Sequence, residues 1–173
     1  MKWSRKQEPS LKPNDVRLTR SEEIEEIIAV GVELGVLRSD QFDLDPCAHE
    51  HRPTPRTIQK KHLSASWNGL RGDWFGDVFV NPPFSDLSSW CYKSMVELDC
   101  KRIFSVSMIV PNTTLERPCV QDLIYKKIDY SPQAVIYPLE RRRPFIHPDT
   151  MEEMKRPPFG ITIIYRWSTF RAS

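Results

Sequence analysis

The spacing of apolar residues changes period several times along the chain, and each change marks an element. Ile24, Ile27, Ile28 and Val32 recur at helical intervals. Thr19 with Glu22 fits a capping box in front of them, and Gly35 supplies a stop behind them. Gln41-Phe42-Asp43-Leu44 reads as a short strand broken by Pro46, and residues 46–64, polar with three prolines and three histidines, read as loop. Residues 77–80 form a short apolar strand running into Asn81-Pro82-Pro83-Phe84. Ser85 or Asp86 then caps a helix whose Leu87, Trp90, Cys91, Ser94, Met95 and Leu98 share one face. Residues 102–110 make a second buried strand closed by Pro111, and Pro118 opens a helix to about residue 127. Two more strands, 134–137 and 160–167, flank a basic, proline-rich loop. Residues 1–18 lack a hydrophobic period and read as an arm, leaving 19–173 as a single domain.

Strands alternate with helices through the middle, and two strands close the chain. That order predicts an α/β fold with a mostly parallel sheet and an antiparallel C-terminal edge pair. Ligands of open α/β sheets sit beyond the carboxyl ends of the strands. Asp43-Leu44-Asp45-Pro46 and Asn81-Pro82-Pro83-Phe84 both fall at such ends.

Composition narrows the picture modestly. A chain of 173 residues, 39% hydrophobic and 28% charged, suits one globular domain. No apolar run approaches 18 residues, so no membrane-spanning helix is expected. The basic start Met1-Lys2-Trp3-Ser4-Arg5-Lys6 has no apolar stretch behind it, unlike a secretory signal. Cys47, Cys91, Cys100 and Cys119 lack paired spacing, which suggests reduced thiols in the cytoplasm. A net charge of +2 says little, but Arg141, Arg142 and Arg143 form the densest basic cluster, with Lys155-Arg156 and Lys60-Lys61-His62 beside it in rank. Fifteen prolines against six glycines imply stiff connections and no glycine-rich phosphate cradle.

The Asn81 turn carries the sharpest chemistry. The Asn81 side-chain oxygen and the Pro82 carbonyl can both accept hydrogen bonds from one NH2 group. Pro82 and Pro83 fix the backbone and remove donors. Phe84 can lie on the face of a planar base. Asp43 and Asp45 at the other strand end can attract an ammonium group or bind ribose hydroxyls.

These segments occur in a recognisable order. Phe42-Asp43-Leu44-Asp45-Pro46-Cys47-Ala48 is followed by Trp67-Asn68-Gly69-Leu70, then Asn81-Pro82-Pro83-Phe84, then Trp90, Lys93 and Glu97, then Gly160-Ile161-Thr162-Ile163-Ile164-Tyr165-Arg166-Trp167. From residue 42 to residue 167 the set resembles the phage-type DNA adenine-N6 methyltransferases, a small Dam-like family of bacteriophages and prophages. The resemblance implies a Rossmann-like class I methyltransferase fold with S-adenosylmethionine as cofactor. It implies methylation of adenine N6 in double-stranded DNA, in the cytoplasm of a bacterial host. Asn81, Pro82, Pro83 and Phe84 would then hold the flipped adenine; Asp43, Asp45, Pro46 and Asn68 would serve the cofactor. Arg141, Arg142 and Arg143 would meet DNA phosphates.

The chain also departs from that pattern. It has no Gly-x-Gly loop; Ala48-His49-Glu50 stands where a glycine is expected. Pro111-Asn112-Thr113-Thr114 resembles the family's Pro-x-x-Thr stretch without an accompanying Arg. Cys47, His49, Glu50 and His51 could ligate zinc, but alternate residues on one short loop seldom complete a tetrahedron, so no metal is expected. Two alternatives stand beside this reading: a catalytically weak or inactive methyltransferase-like DNA-binding module, and an N-methyltransferase acting on cytosine N4, an RNA base or a protein glutamine.

Overall fold

The computed structural model describes residues 17–49, 51–58, 69–126, 133–140 and 143–168. Its elements are α1 (Ser21–Glu33), β1 (Gly76–Val80), α2 (Leu87–Asp99), β2 (Ile103–Pro111), α3 (Pro118–Tyr125), β3 (Gln133–Pro138) and β4 (Ile161–Trp167). Short 3₁₀ turns at Phe84–Asp86 and Asn112–Thr114 follow β1 and β2. The four strands form one sheet in the order β1-β2-β4-β3.

That order gives an α/β fold with a mixed sheet, and the expected antiparallel C-terminal pair lies at one edge as β4-β3. Only β1 and β2 pair in parallel; β4 runs antiparallel to both β2 and β3. Within that edge pair the outermost strand is β3, not the last strand. Strand β4 is inserted between its two predecessors, where its almost wholly buried residues are covered on both faces. Alternating period and chain order reveal strands, but not which neighbour a late strand will choose. The order also differs from the 3-2-1-4-5-6 arrangement of doubly wound sheets.

Residues 41–44 do not form a named strand. They run beside β1 through single bridges, Leu44 to Val78 and Phe42 to Thr57, both parallel. Asp43 N–H donates to the Asp77 carbonyl at 2.8 Å and Phe79 N–H to the Leu44 carbonyl at 2.9 Å. The parallel half of the sheet thus continues past β1, interrupted only by its shortness.

Side chains of each strand alternate between two cores. Val78, Val80, Val106, Met108, Val110 and Ile164 meet Trp90, Leu98, Leu123 and Ile124 of α2 and α3. Phe79, Ile109, Ile163 and Tyr165 meet Ile24, Ile27 and Ile28 of α1. The Tyr165 hydroxyl donates to the Ile27 carbonyl at 2.7 Å, which fastens α1 to the sheet. Helix α1 ends as its sequence suggests. Gly35 takes φ +69°, while Val36 and Gly35 N–H groups return to the Gly31 and Val32 carbonyls. The expected capping box does not form; the N-cap is Arg20, and Thr19 is used elsewhere.

The Trp90, Lys93, Glu97 spacing proves to be an internal clamp. Trp90 stacks on Trp74 with ring centroids 6.2 Å apart, and the Lys93 ammonium lies 5.7 Å from the Trp74 ring. Glu97, fully buried, receives Lys93 at 2.5 Å, Arg102 at 2.6 and 3.1 Å, and the Trp74 N–H at 3.3 Å. Burial alone would raise the Glu97 pKa, but the hydrogen bonds from Arg102 and Lys93 outweigh it and hold the group below its ordinary value of 4.5. Glu97→Gln should lower stability by about 3 kcal/mol at neutral pH, the scale of breaking a buried pair. A depressed folded-state pKa contributes stability above the unfolded value and loses it in acid. The deficit of the variant, measured by urea unfolding, should therefore be full above about pH 5 and shrink as the pH falls through 4. A deficit independent of pH would show that the charge on Glu97 contributes nothing.

Candidate functional site

Two chain ends meet at one edge of the sheet. The residue 42–44 segment lies between Thr57 on one side and β1 on the other. After that segment the chain turns outward to residue 57, then returns on its opposite side as β1. Such a reversal of strand order opens a crevice beyond the carboxyl ends of the two adjacent strands. Asp45-Pro46 leaves one of those ends and Asn81-Pro82 the other.

Asn81 is held in a defined orientation. Its side-chain nitrogen donates to the Arg17 carbonyl at 2.8 Å and to Thr19 Oγ1 at 3.1 Å. A carbonyl can only accept, so the Arg17 bond fixes which end of the amide is nitrogen. No described residue donates to Asn81 Oδ1 or to the Pro82 carbonyl. The turn is stiffened by two buried prolines, and the Pro83 carbonyl accepts the Asp86 N–H at 3.0 Å to start the 3₁₀ turn. Asp86 occupies the N-cap of α2 but bonds the Ser89 hydroxyl at 2.6 Å instead of the helix backbone.

Phe84 is half-buried. It meets Phe145 and Phe159 edge to face, at centroid distances of 6.2 and 6.0 Å. The Arg17 guanidinium lies 5.5 Å from the Phe84 ring and 5.7 Å from that of Phe145. Arg17 is kept there by its neighbour, since Leu18 and Ile146 exchange backbone hydrogen bonds at 3.0 and 3.1 Å. Adjoining this cluster is a cleft of about 350 Å³ lined by Arg17, Phe145, Met154, Lys155, Arg156 and the run from Pro157 to Phe159.

The expected cofactor residues are placed less uniformly. Asp45 lies at the strand end, 2% exposed, and accepts from the Cys47 N–H at 2.8 Å and from the Thr54 hydroxyl. Burial pushes its carboxyl up to about 7, against the opposing effect of those two bonds. Pro46, also buried, begins the turn. Asp43 instead braces the opposite end of β1. Its carboxylate accepts from the Asp77 N–H at 2.8 Å and from Arg38 at 3.1 Å. Asn68, Arg141 and Arg142 lie outside the described residues. Arg143 is 3.7 Å from Glu26 on α1. At the neighbouring strand end, Asn112 Oδ1 accepts the Thr162 hydroxyl at 2.5 Å, tying β2 to β4. His49 and His51 contact each other edge to face, and among the described residues no three His, Cys, Asp or Glu side chains group as metal ligands. The four cysteines are free. No helix among the described residues is long and apolar enough to cross a membrane.

Arg17, Phe145, Lys155, Arg156 and Phe159 were not foreseen as site residues. One signal was available: Pro157-Pro158-Phe159 repeats the tripeptide Pro82-Pro83-Phe84.

The buried Asp45 has a measurable consequence. A folded-state pKa raised from 3.8 to about 7 means the folded protein holds the proton more tightly than the unfolded chain. Its contribution therefore falls as the pH rises from about 4 to 7, and is level above that. Asp45→Asn keeps an acceptor for Cys47 and gains a donor for Thr54. It should be more stable than the parent at pH 8, by an amount on the order of 2–4 kcal/mol, and equal to it at pH 4. Thermal unfolding across this range checks the sign; a destabilised variant at pH 8 would show that Asp45 is ionised and paired.

Compared with protein-family models, curated proteins and solved structures, the chain matches none.

Proposed function

We propose that the chain is an S-adenosylmethionine-dependent methyltransferase acting on adenine N6 in DNA, built on a Rossmann-like methyltransferase fold. The observation that carries this reading is the orientation of Asn81. Its amide is tethered by the nitrogen end, which leaves Oδ1 and the adjacent Pro82 carbonyl as acceptors that no described residue fills, on a turn whose two prolines carry no N–H. A planar NH2 group presents the matching pair of hydrogens. Adenine N6 is a poor nucleophile because its lone pair is delocalised into the ring. Two fixed acceptors would let the nitrogen pyramidalise, and such preorganisation is a large part of what an enzyme contributes. Phe84 offers a ring against which an extruded base can stack.

The fold reading draws on the reversal of strand order between the residue 42–44 segment and β1. It sets the strand ends that lead to Asp45 and Asn81 side by side. S-adenosylmethionine would supply an electrophilic methyl group in that crevice. The described carboxylates fit it incompletely: Asp45 faces inward with its bonds made, and Asp43 is engaged at the far end of β1. That observation favours a second reading, a methyltransferase-like module that binds DNA without transferring a methyl group.

Methyl-labelled S-adenosylmethionine and unmethylated duplex DNA separate the two. Digestion of the product should yield labelled N6-methyladenine; label on protein or RNA alone would exclude the DNA substrate, and no label with intact DNA binding would favour the module. Asn81→Ala should reduce transfer by roughly 10²–10³-fold, the scale of losing one preorganised hydrogen-bonding group, with cofactor binding unchanged. Full activity in that variant would remove Asn81 from the acceptor role.

A further inference from the structure

The chain holds a second Pro-Pro-Phe turn, and the fold brings it against the first. Phe159 and Phe84 meet edge to face at 6.0 Å, although 75 positions separate them in the sequence. The residues preceding the two turns differ. Asn81 stands before the first, and Lys155-Arg156 before the second. The second turn and its basic pair form one wall of the 350 Å³ cleft, with Arg17 and Phe145 also lining it.

We propose that this cleft binds the nucleic-acid strand beside the target base: a nucleotide whose base lies against Phe159 and whose phosphate meets Lys155 and Arg156. The inference rests on the reading of Asn81 and Phe84 as a nucleobase pocket, and it extends that pocket by one nucleotide.

Charge supports it first. Arg17, Lys155 and Arg156 are three cations lining one cleft, and among the described residues no acidic one lines it. The nearby Glu153 is committed to Arg20 in an ion pair. Lys155 and Arg156 are exposed, and neither enters an ion pair among the described residues. An Arg fork beside a Lys point charge suits phosphate oxygens. Size comes next. A cleft of about 350 Å³ lies at the lower end of the roughly 300–1,000 Å³ typical of small-ligand sites, which suits a single nucleotide and excludes a duplex. The aromatic content adds a π surface, which every base can use and an acidic peptide largely cannot. The triplet Arg141, Arg142 and Arg143 has a weaker claim, because Arg143 already faces Glu26.

The test is equilibrium binding followed by fluorescence anisotropy over a range of salt concentrations, with no cofactor present. The probes are a labelled adenine-containing single strand and a duplex carrying one mismatched adenine. Lys155→Gln with Arg156→Gln should weaken binding about tenfold or more and reduce the single-strand salt slope by roughly 0.7, the loss of one phosphate contact. Phe159→Leu keeps an apolar side chain but removes the ring; it should weaken single-strand binding several-fold with the salt slope unchanged. A double Lys155/Arg156 variant with parental slope and affinity would overturn the proposal. So would a loss confined to substitutions at Arg141, Arg142 and Arg143, or preferential binding of a poly-glutamate probe. Omitting the cofactor separates the two readings. Binding that depends on Lys155 and Arg156, with no label transferred to DNA in the separate assay with S-adenosylmethionine, would leave this site standing and remove the activity. Transfer with an unchanged slope would do the reverse.

Discussion

The position of the candidate site depends on a carboxylate brace at the opposite end of β1. Asp43 Oδ2 accepts the Asp77 N–H at 2.8 Å, an approach open only because residue 76 is glycine with φ +70°. A Cβ there would collide with the Asp43 carboxylate. Arg38 joins both acids, reaching Asp43 at 3.1 Å and Asp77 at 3.0 Å, while Asp77 Oδ1 accepts the Ser105 hydroxyl from β2 at 2.7 Å. Buried carboxylates are tolerated when their lone pairs are filled in this way. The brace ties the segment after α1 to β1 and β2 in one register. With Leu44 set opposite Val78, the chain beyond each residue emerges at the same edge of the sheet. Without that register, Asp45-Pro46 and Asn81-Pro82 would not be neighbours.

The brace also explains why the fold was only partly legible in the sequence. Residues 77–80, 102–110 and the stripe from Leu87 to Leu98 stood out because burial on both faces gives continuous apolar strands, and burial on one face gives the period of 3.6. Those patterns report which side of an element is covered, not by what. The antiparallel insertion of β4 between β2 and β3 left no local trace, since its apolar run would look the same in a parallel strand. Asp43 shows the same limit. A carboxylate at a strand end suggests a ligand contact, and only the position of Gly76 reveals that it serves the neighbouring strand. Glu97 is a further case: helical spacing pairs it with Lys93, but Trp74 and Arg102 reach it from outside the helix.

The candidate site was legible in proportion to how local it is. Asn81, Pro82 and Pro83 form a contiguous turn, and the stiffness and missing N–H groups of the two prolines follow from residue type alone. The surroundings of Phe84 are assembled from Arg17, Phe145 and Phe159, which lie some 60 to 75 positions away. No spacing rule connects them. The basic triplet drew attention because charge density is readable along a chain, whereas a cleft is a property of space. Lys155 and Arg156 are fewer charges in the sequence but face the aromatic cluster.

Arg17 links these parts energetically. In the free protein its guanidinium faces Phe84 and Phe145, and its carbonyl fixes Asn81. A base stacking on Phe84 must displace a cation–π contact worth about 0.5–2 kcal/mol. Extruding that base from a duplex costs a further few kcal/mol. Stacking returns only about 1–3 kcal/mol, which leaves the exchange close to balance or unfavourable. The balance tips if the displaced guanidinium does not return to water but turns into the cleft it already lines, onto a phosphate of the incoming strand. A charge-assisted contact of that kind contributes about 1.5–3 kcal/mol. The Arg17 carbonyl need not move for this, so Asn81 keeps its orientation while the side chain swings. One residue would thus hold the acceptor ready in the free state and help retain the strand in the bound one.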